Sequence, residues 1–155
     1  PKICIYVASA LIYAHPDLIN KYLYLTKRLK LDDILMFNLN YVESRDIEPI
    51  FKAADIVALP YIKVSQSGVL MLAMGFKKPV VITDDFYEKK WVNHRCGLVA
   101  KAGDEDELAK KLYRLLGNQK LAENYGNEGY LYASTNFSWQ KIAHQYFQIY
   151  SNLLE

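Results

Sequence analysis

The residues with most chemistry in this 155-residue chain form the run Ser65-Gln66-Ser67-Gly68-Val69, set between a short apolar segment, Ile56 to Leu59, and a longer one, Gly68 to Phe76. A helix opening at that point leaves its first main-chain N–H groups without partners, at the positive end of the helix dipole. Hydroxyls beside those amides, and a glycine that admits a ligand closely, are the properties of a phosphate cradle. The same residues have a purely structural use, with Ser65 or Ser67 as an N-cap and Gly68 as a packing residue. Both readings stand on the residues alone. Lys63, just upstream, could pair with a phosphate, although a loop lysine is ordinarily only solvated.

Other reactive side chains carry less. Asp84 and Asp85 follow a strand-like run, and adjacent carboxylates with no third ligand nearby read as turn chemistry rather than as a metal pocket. His15, His94 and His144 have neither triad nor metal spacing, although His94 and Arg95 sit in the loop before Gly97 and a weak ligand contact is conceivable there. Cys4 and Cys96 suit two reduced thiols better than a disulfide or a metal site. No metal and no cofactor are expected.

The elements that must position these residues follow from periodicity. Short runs rich in β-branched and aromatic residues predict strands at Lys2 to Ser9 (buried), Ile34 to Leu39, Ile56 to Leu59, Pro79 to Thr83 and Gly97 to Ala100. Between them, Leu18, Tyr22, Leu25 and Leu29 recur at helical spacing, Ser44 caps a short helix that turns Ile47, Ile50 and Phe51 inward, and Gly68 to Phe76 predicts a helix packed on most sides. Asp104 and Glu107 are spaced as N-cap and third helical residue, Leu108, Leu112 and Leu115 form a stripe, and Gly117 stands where a left-handed C-cap is wanted. Ser138 caps a last helix bearing Trp139, Ile142, Tyr146, Ile149 and Leu153. Strands alternating with helices imply an α/β, Rossmann-like parallel sheet with helices on both faces. Ligands of such sheets bind beyond the carboxyl ends of the strands, which is where Ser65 to Val69 falls.

Composition bounds the rest. Hydrophobic residues make up 52% of the chain and charged ones 23%, enough apolar matter for one globular domain over residues 1–155. The formal charge of +2 is spread along the chain, so no nucleic-acid partner is expected, while contact with a membrane surface stays open. No apolar run reaches the roughly 20 residues that cross a bilayer, and a cytoplasmic location, or one at the inner face of the membrane, is the default. Thirteen tyrosines are many for this length; most fall on helical stripes, which predicts core packing. Pro1 leads straight into a strand pattern, as expected of a fragment of something longer.

Three segments together resemble a known family: Ala54-Asp55-Ile56-Val57-Ala58-Leu59-Pro60-Tyr61, Ser65-Gln66-Ser67-Gly68-Val69, and Leu72-Ala73-Met74-Gly75-Phe76-Lys77-Lys78-Pro79-Val80-Val81. They are similar to the central part of retaining GT-B glycosyltransferases of the group 1 kind, in the branch whose donor loop carries Ser-Gln-Ser-Gly. The likeness extends from Leu39 through the helix that ends at Leu116. It implies the donor-binding C-terminal half of such an enzyme, without its N-terminal domain and without the first strand and helix of this half. It further implies a nucleotide-diphosphate sugar on Ser65, Gln66, Ser67, Gly68 and Val69, with the base and ribose near Asn40, Tyr41 and Tyr61.

Active members transfer the sugar to a polysaccharide or glycoconjugate acceptor with retained anomeric configuration, generally without a metal. The isolated half is expected not to turn over, and apolar surface on its last helix to favour self-association. Departures accompany the matches. Two glutamates around this helix are common in the family, where this chain has Val64 and Leu72, and Asp85, Phe86 and Tyr87 replace a glycine pair. These departures admit a degenerate, non-catalytic nucleotide-binding module, and a sugar-nucleotide epimerase half shares the fold. A receiver-like signalling domain needs an acidic cluster after the first strand, which Ala8-Ser9-Ala10-Leu11 does not supply.

Overall fold

The computed structural model of the protein describes residues 3–8, 16–93 and 95–154. The Lys2 and Ser9 ends of the expected first strand, Ala10, Leu11, His15 and His94 lie outside them. The elements run β1 (Ile5–Ala8), α1 (Pro16–Arg28), β2 (Leu35–Asn38), α2 (Ser44–Ala53), β3 (Val57–Leu59), α3 (Gly68–Gly75), β4 (Val80–Thr83), α4 (Lys89–Val92), β5 (Gly97–Ala100), α5 (Glu105–Leu116), α6 (Gln119–Asn136) and α7 (Trp139–Leu154). This is the α/β, Rossmann-like order that the periodicity predicts. The chain divides into two units, Pro1–Glu48 and Pro49–Glu155.

In the first unit β1 and β2 pair in parallel, from Ile5 opposite Leu35 to Ala8 opposite Asn38, and a parallel pair needs a crossover, supplied by α1. Asp17 in the first turn of α1 and Lys27 and Arg28 in its last complement the helix dipole. Two expectations fail here. The first strand is not buried, Ile5 and Tyr6 being 47% and 42% exposed, and Tyr22 and Leu29 of the helical stripe are exposed too. Thr26 is buried, its Oγ1 donating to the Tyr22 carbonyl at 2.9 Å. An apolar pattern marks a face fit for burial; it does not supply the element that covers it.

The second unit is built on a three-stranded parallel sheet in the order β3-β4-β5. β4 lies in the middle with all of Val80, Val81, Ile82 and Thr83 buried, as expected of a β-branched run hydrogen-bonded on both sides and covered by helices. Val81, Leu98, Leu115 and Tyr125 form a core against which Ile56, Leu108, Leu112 and Leu121 pack, so the α5 stripe meets the sheet as its spacing requires. The glycines of α6 permit close approach: Gly126 faces the Lys77 carbonyl and Gly129 faces Cys96 and Met74.

The caps explain the helix ends. Asp104 accepts the Glu107 amide at 2.8 Å, and Glu107 reaches back to the Lys101 amide at 2.8 Å. Asp104→Ala should lower stability by about 1 kcal/mol, a loss of roughly 3 °C in Tm for a chain of this size, read from a circular dichroism melt; an unchanged melt would show that the cap is redundant. Gly117 is not the left-handed cap expected, since its φ is −82°. Asn118 at once caps α6 through the Leu121 amide at 3.0 Å, and the chain passes from helix to helix with no left-handed residue between.

Ser138 Oγ accepts the Lys141 amide at 3.3 Å, the expected cap of α7. No residue of α7 is buried, and Tyr146, Ile149 and Leu153 of its stripe are exposed. Core packing of the tyrosines is therefore overturned: Tyr125 is buried, while Tyr24, Tyr41, Tyr87, Tyr113 and Tyr150 are each 60% exposed or more. Their hydroxyls stay hydrated at the surface, which a phenol prefers to a core position without a partner. Among the described residues no helix is long and apolar enough to cross a membrane.

Candidate functional site

Leu59 pairs with Ile82, so β3 and β4 end side by side and the loops that leave them, 60–67 and 84–88, share one edge of the sheet. That is the edge where ligands of parallel sheets bind. Ser67 has extended backbone, φ −136° and ψ 114°, and its Oγ accepts the Leu70 amide at 3.3 Å. It is buried, at 8% exposure. The capping alternative thus holds for Ser67, and its hydroxyl is engaged as an acceptor within the helix start.

That cap satisfies the third amide of α3, while Gly68 and Val69 occupy the first two helical positions, whose amides have no intrahelical partner. Ser65, Gln66, Gly68 and Val69 are exposed. A Cβ placed on Gly68 would meet no atom within 4 Å, so the mouth of the helix opens to solvent and is not plugged by side chains. The positive end of the dipole therefore has room for an anion.

The approach to this mouth is held in place. Lys63 has φ 58°, and its amide donates to Asp85 Oδ2 at 3.0 Å; its side chain is exposed. The Thr83 hydroxyl donates to the Tyr61 carbonyl at 2.5 Å, and the Tyr61 ring stacks on Phe86 at 5.6 Å. Burial of the Tyr61 phenol against that ring pushes its pKa up. Asp84 Oδ1 accepts the Ala102 amide at 2.8 Å. Both carboxylates therefore accept amides of other loops, Asp84 from a residue 18 positions away and Asp85 from one 22 positions away, in place of the local turn chemistry expected of them, which spacing alone could not reveal. Val64 is half-buried and Leu72 is 38% exposed.

Tyr61, Lys63 and Ser65 to Val69 are brought together at this edge. Asn40 and Tyr41 belong to the first unit, directly after β2. Asn38 Oδ1 accepts the Asn40 amide at 3.1 Å, and Tyr41 is exposed. Arg95 precedes the first residue of β5, the end of the sheet away from Ser67, and lines a cavity of about 280 Å³ with Glu128, Tyr132 and Asn136. The Cys96 thiol is pushed up to about 11, chiefly by burial, and stays neutral at physiological pH. Glu88 is buried, and among the described residues its Oε2 has no hydrogen-bond partner; no sequence signal announces it.

The family profile described as glycosyl transferases group 1 matches residues 12–118. Among solved structures, HepE of Anabaena in complex with UDP superposes with a TM-score of 0.88 at 21% identity over 98% of this chain and 42% of that one. Sucrose-phosphate synthase of Thermosynechococcus elongatus gives 0.83 at 20% identity over 96% and 38%. The C-terminal domain of the group 1 glycosyl transferase LpcC of Francisella tularensis gives 0.73 at 22% over 80% and 64%. The chain thus spans about two fifths of the length of the first two neighbours. No curated protein sequence matches it.

Proposed function

Because the chain belongs to the glycosyl transferases group 1 family, matched over residues 12–118, we propose that it binds the nucleoside-diphosphate sugar donor of a retaining glycosyltransferase of the Ser-Gln-Ser-Gly branch. The observation that carries this reading is the open mouth of α3. The Gly68 and Val69 amides stand at the carboxyl edge of the sheet with space before them, while the Ser67 cap keeps the helix start in order. A diphosphate seated there meets main-chain donors, the helix dipole and the exposed Lys63 side chain. As the sugar departs, charge grows on that diphosphate, and fixed donors stabilise the transition state more than the ground state.

Ser65 and Gln66 supply further donors to the phosphates or the sugar, and Tyr61, Asn40 and Tyr41 are assigned to the nucleotide on the family resemblance. No metal or other cofactor enters the reading, since amides and lysine do the electrostatic work. Transfer to a polysaccharide or glycoconjugate acceptor is proposed for the complete enzyme. A neighbour of similar fold was captured with UDP and with UDP-glucose, which makes uridine nucleotides the first probes. Calorimetric titration should show UDP bound at least about tenfold more tightly than UMP, because the second phosphate gains charge-assisted hydrogen bonds. Equal affinity for the two, or no heat with any nucleoside diphosphate, would remove the cradle.

A second reading, a nucleotide-binding module without catalysis, is favoured by Val64 and Leu72, neither of which accepts a hydrogen bond from a ribose or sugar hydroxyl. It expects UDP to bind and no UDP-sugar to be turned over by the complete protein with any acceptor. Release of UDP from UDP-glucose, followed by a coupled assay, decides between the two.

A further inference from the structure

The loop between β3 and α3 is fixed at two points. At one end, Ser67 Oγ holds the Leu70 amide. At the other, Lys63 adopts a left-handed conformation, φ 58°, uncommon for a residue with a side chain. In that conformation its amide donates to Asp85 Oδ2 at 3.0 Å. The neighbouring loop is itself anchored, since Phe86 is wholly buried beneath Tyr61 and the Thr83 hydroxyl donates to the Tyr61 carbonyl. Between the two fixed points lie only Val64, Ser65 and Gln66.

We propose that Asp85 is a positioning residue for the donor loop: by holding the Lys63 amide it fixes the turn from which Ser65 and Gln66 extend, before any ligand arrives. The proposal rests on the reading of the α3 mouth as the diphosphate site. Asp85 itself is exposed and carries a negative charge, which repels a diphosphate, so its use is geometric; the oxygen it offers matters and the charge does not. A loop ordered in advance binds more tightly because less freedom is lost on association.

This separates two substitutions. Asp85→Asn keeps a carbonyl oxygen for the Lys63 amide and sheds the repelling charge, so UDP should bind within about twofold of the unaltered protein or more tightly. Asp85→Ala keeps no acceptor, and UDP should bind about fivefold more weakly, the size expected for the loss of an ordinary hydrogen bond of about 1 kcal/mol. Calorimetry on the full chain measures the affinities, and amide hydrogen exchange without ligand reads the loop. In Asp85→Ala the amides of Lys63 to Ser67 should exchange faster, and in Asp85→Asn they should not.

Three outcomes overturn the proposal: Asp85→Ala binding UDP as well as the unaltered protein, unchanged exchange in Asp85→Ala, or Asp85→Asn as weak as Asp85→Ala. Should Asp85→Ala fail to fold, Asp85→Leu, similar to aspartate in shape but without an acceptor, takes its place: the same loss of affinity and faster exchange are expected, and unchanged binding or exchange overturns the proposal. Failure of UDP to bind the unaltered protein is a different result; it removes the cradle reading and the positioning role with it.

Discussion

Gly68→Glu should leave the fold intact and weaken UDP binding at least about a hundredfold. The new Cβ meets no atom within 4 Å, so nothing in the protein has to move. A carboxylate in the first turn of a helix is favourable by about 0.3–1 kcal/mol, and the melting temperature should hold or rise slightly. Against a bound diphosphate the same carboxylate is repulsive. Two unit charges 4 Å apart near a protein surface interact by about 4 kcal/mol, and if solvent removes a third of that, the remainder still corresponds to about a hundredfold in Kd. Gly68→Ala is the control for charge: its methyl group has room in the free protein, and any loss of UDP affinity should be well below that of the glutamate variant. Calorimetry beside a thermal melt checks all three proteins. Unchanged affinity in the glutamate variant would place the diphosphate elsewhere, and lost stability would mean that the helix mouth is not open.

The second unit was largely legible because its signals are local. Pro60 and Pro79 bound apolar runs too short to be helices, β-branched residues fill β4, and Asp104 with Glu107 at N3 announces a helix start whatever it packs on. Ser67 was open to two readings, and its bond to the Leu70 amide, three residues on, shows the capping one while leaving the hydroxyl proton free to donate. Burial was less legible. The β1 run and the tyrosine-bearing stripes satisfy the periodicity of buried faces, yet whether another element lies on them is a property of the assembled chain, as Tyr6 and Tyr146 show. Gly117 illustrates the same limit on a smaller scale, since glycine permits a left-handed cap and the following Asn118 cap made one unnecessary.

The site divided in the same way. Ser65 to Val69 could be found because glycine and hydroxyls before an apolar helix form a contiguous pattern at the end of a strand. Asp85 could be placed in a turn, but the amide it accepts, that of Lys63, lies on another loop, and only the parallel pairing of β3 with β4 brings the two together. The left-handed conformation of Lys63, which Lys30 and Lys77 share, has no mark in the sequence at all, because a lysine side chain gains nothing from it.

Gly126→Ala should cost about 2–3 kcal/mol in stability, or roughly 5–10 °C in Tm. A Cβ at position 126 would lie 2.0 Å from the Lys77 carbonyl oxygen and 2.8 Å from its carbon, closer than any non-bonded pair can approach. The main chain opposite has little freedom to yield, for the Lys77 amide donates to the Met74 carbonyl at 3.0 Å and the Lys78 amide to the Ala73 carbonyl at 2.8 Å, so α6 has to move off α3. Alanine gains up to about 1 kcal/mol over glycine in a helix, which offsets part of the clash and is included in the figure. Gly75→Ala isolates that gain: a Cβ there meets nothing within 4 Å, and the variant should be as stable as the unaltered protein or slightly more so. Because α6 holds the carboxyl end of α3 while the ligand would sit at its amino end, Gly126→Ala tests packing separately from binding. Well below its lowered Tm it should take up UDP with an affinity close to that of the unaltered protein, and a melt no lower than that of Gly75→Ala would mean that α6 and the Lys77 turn are not in contact.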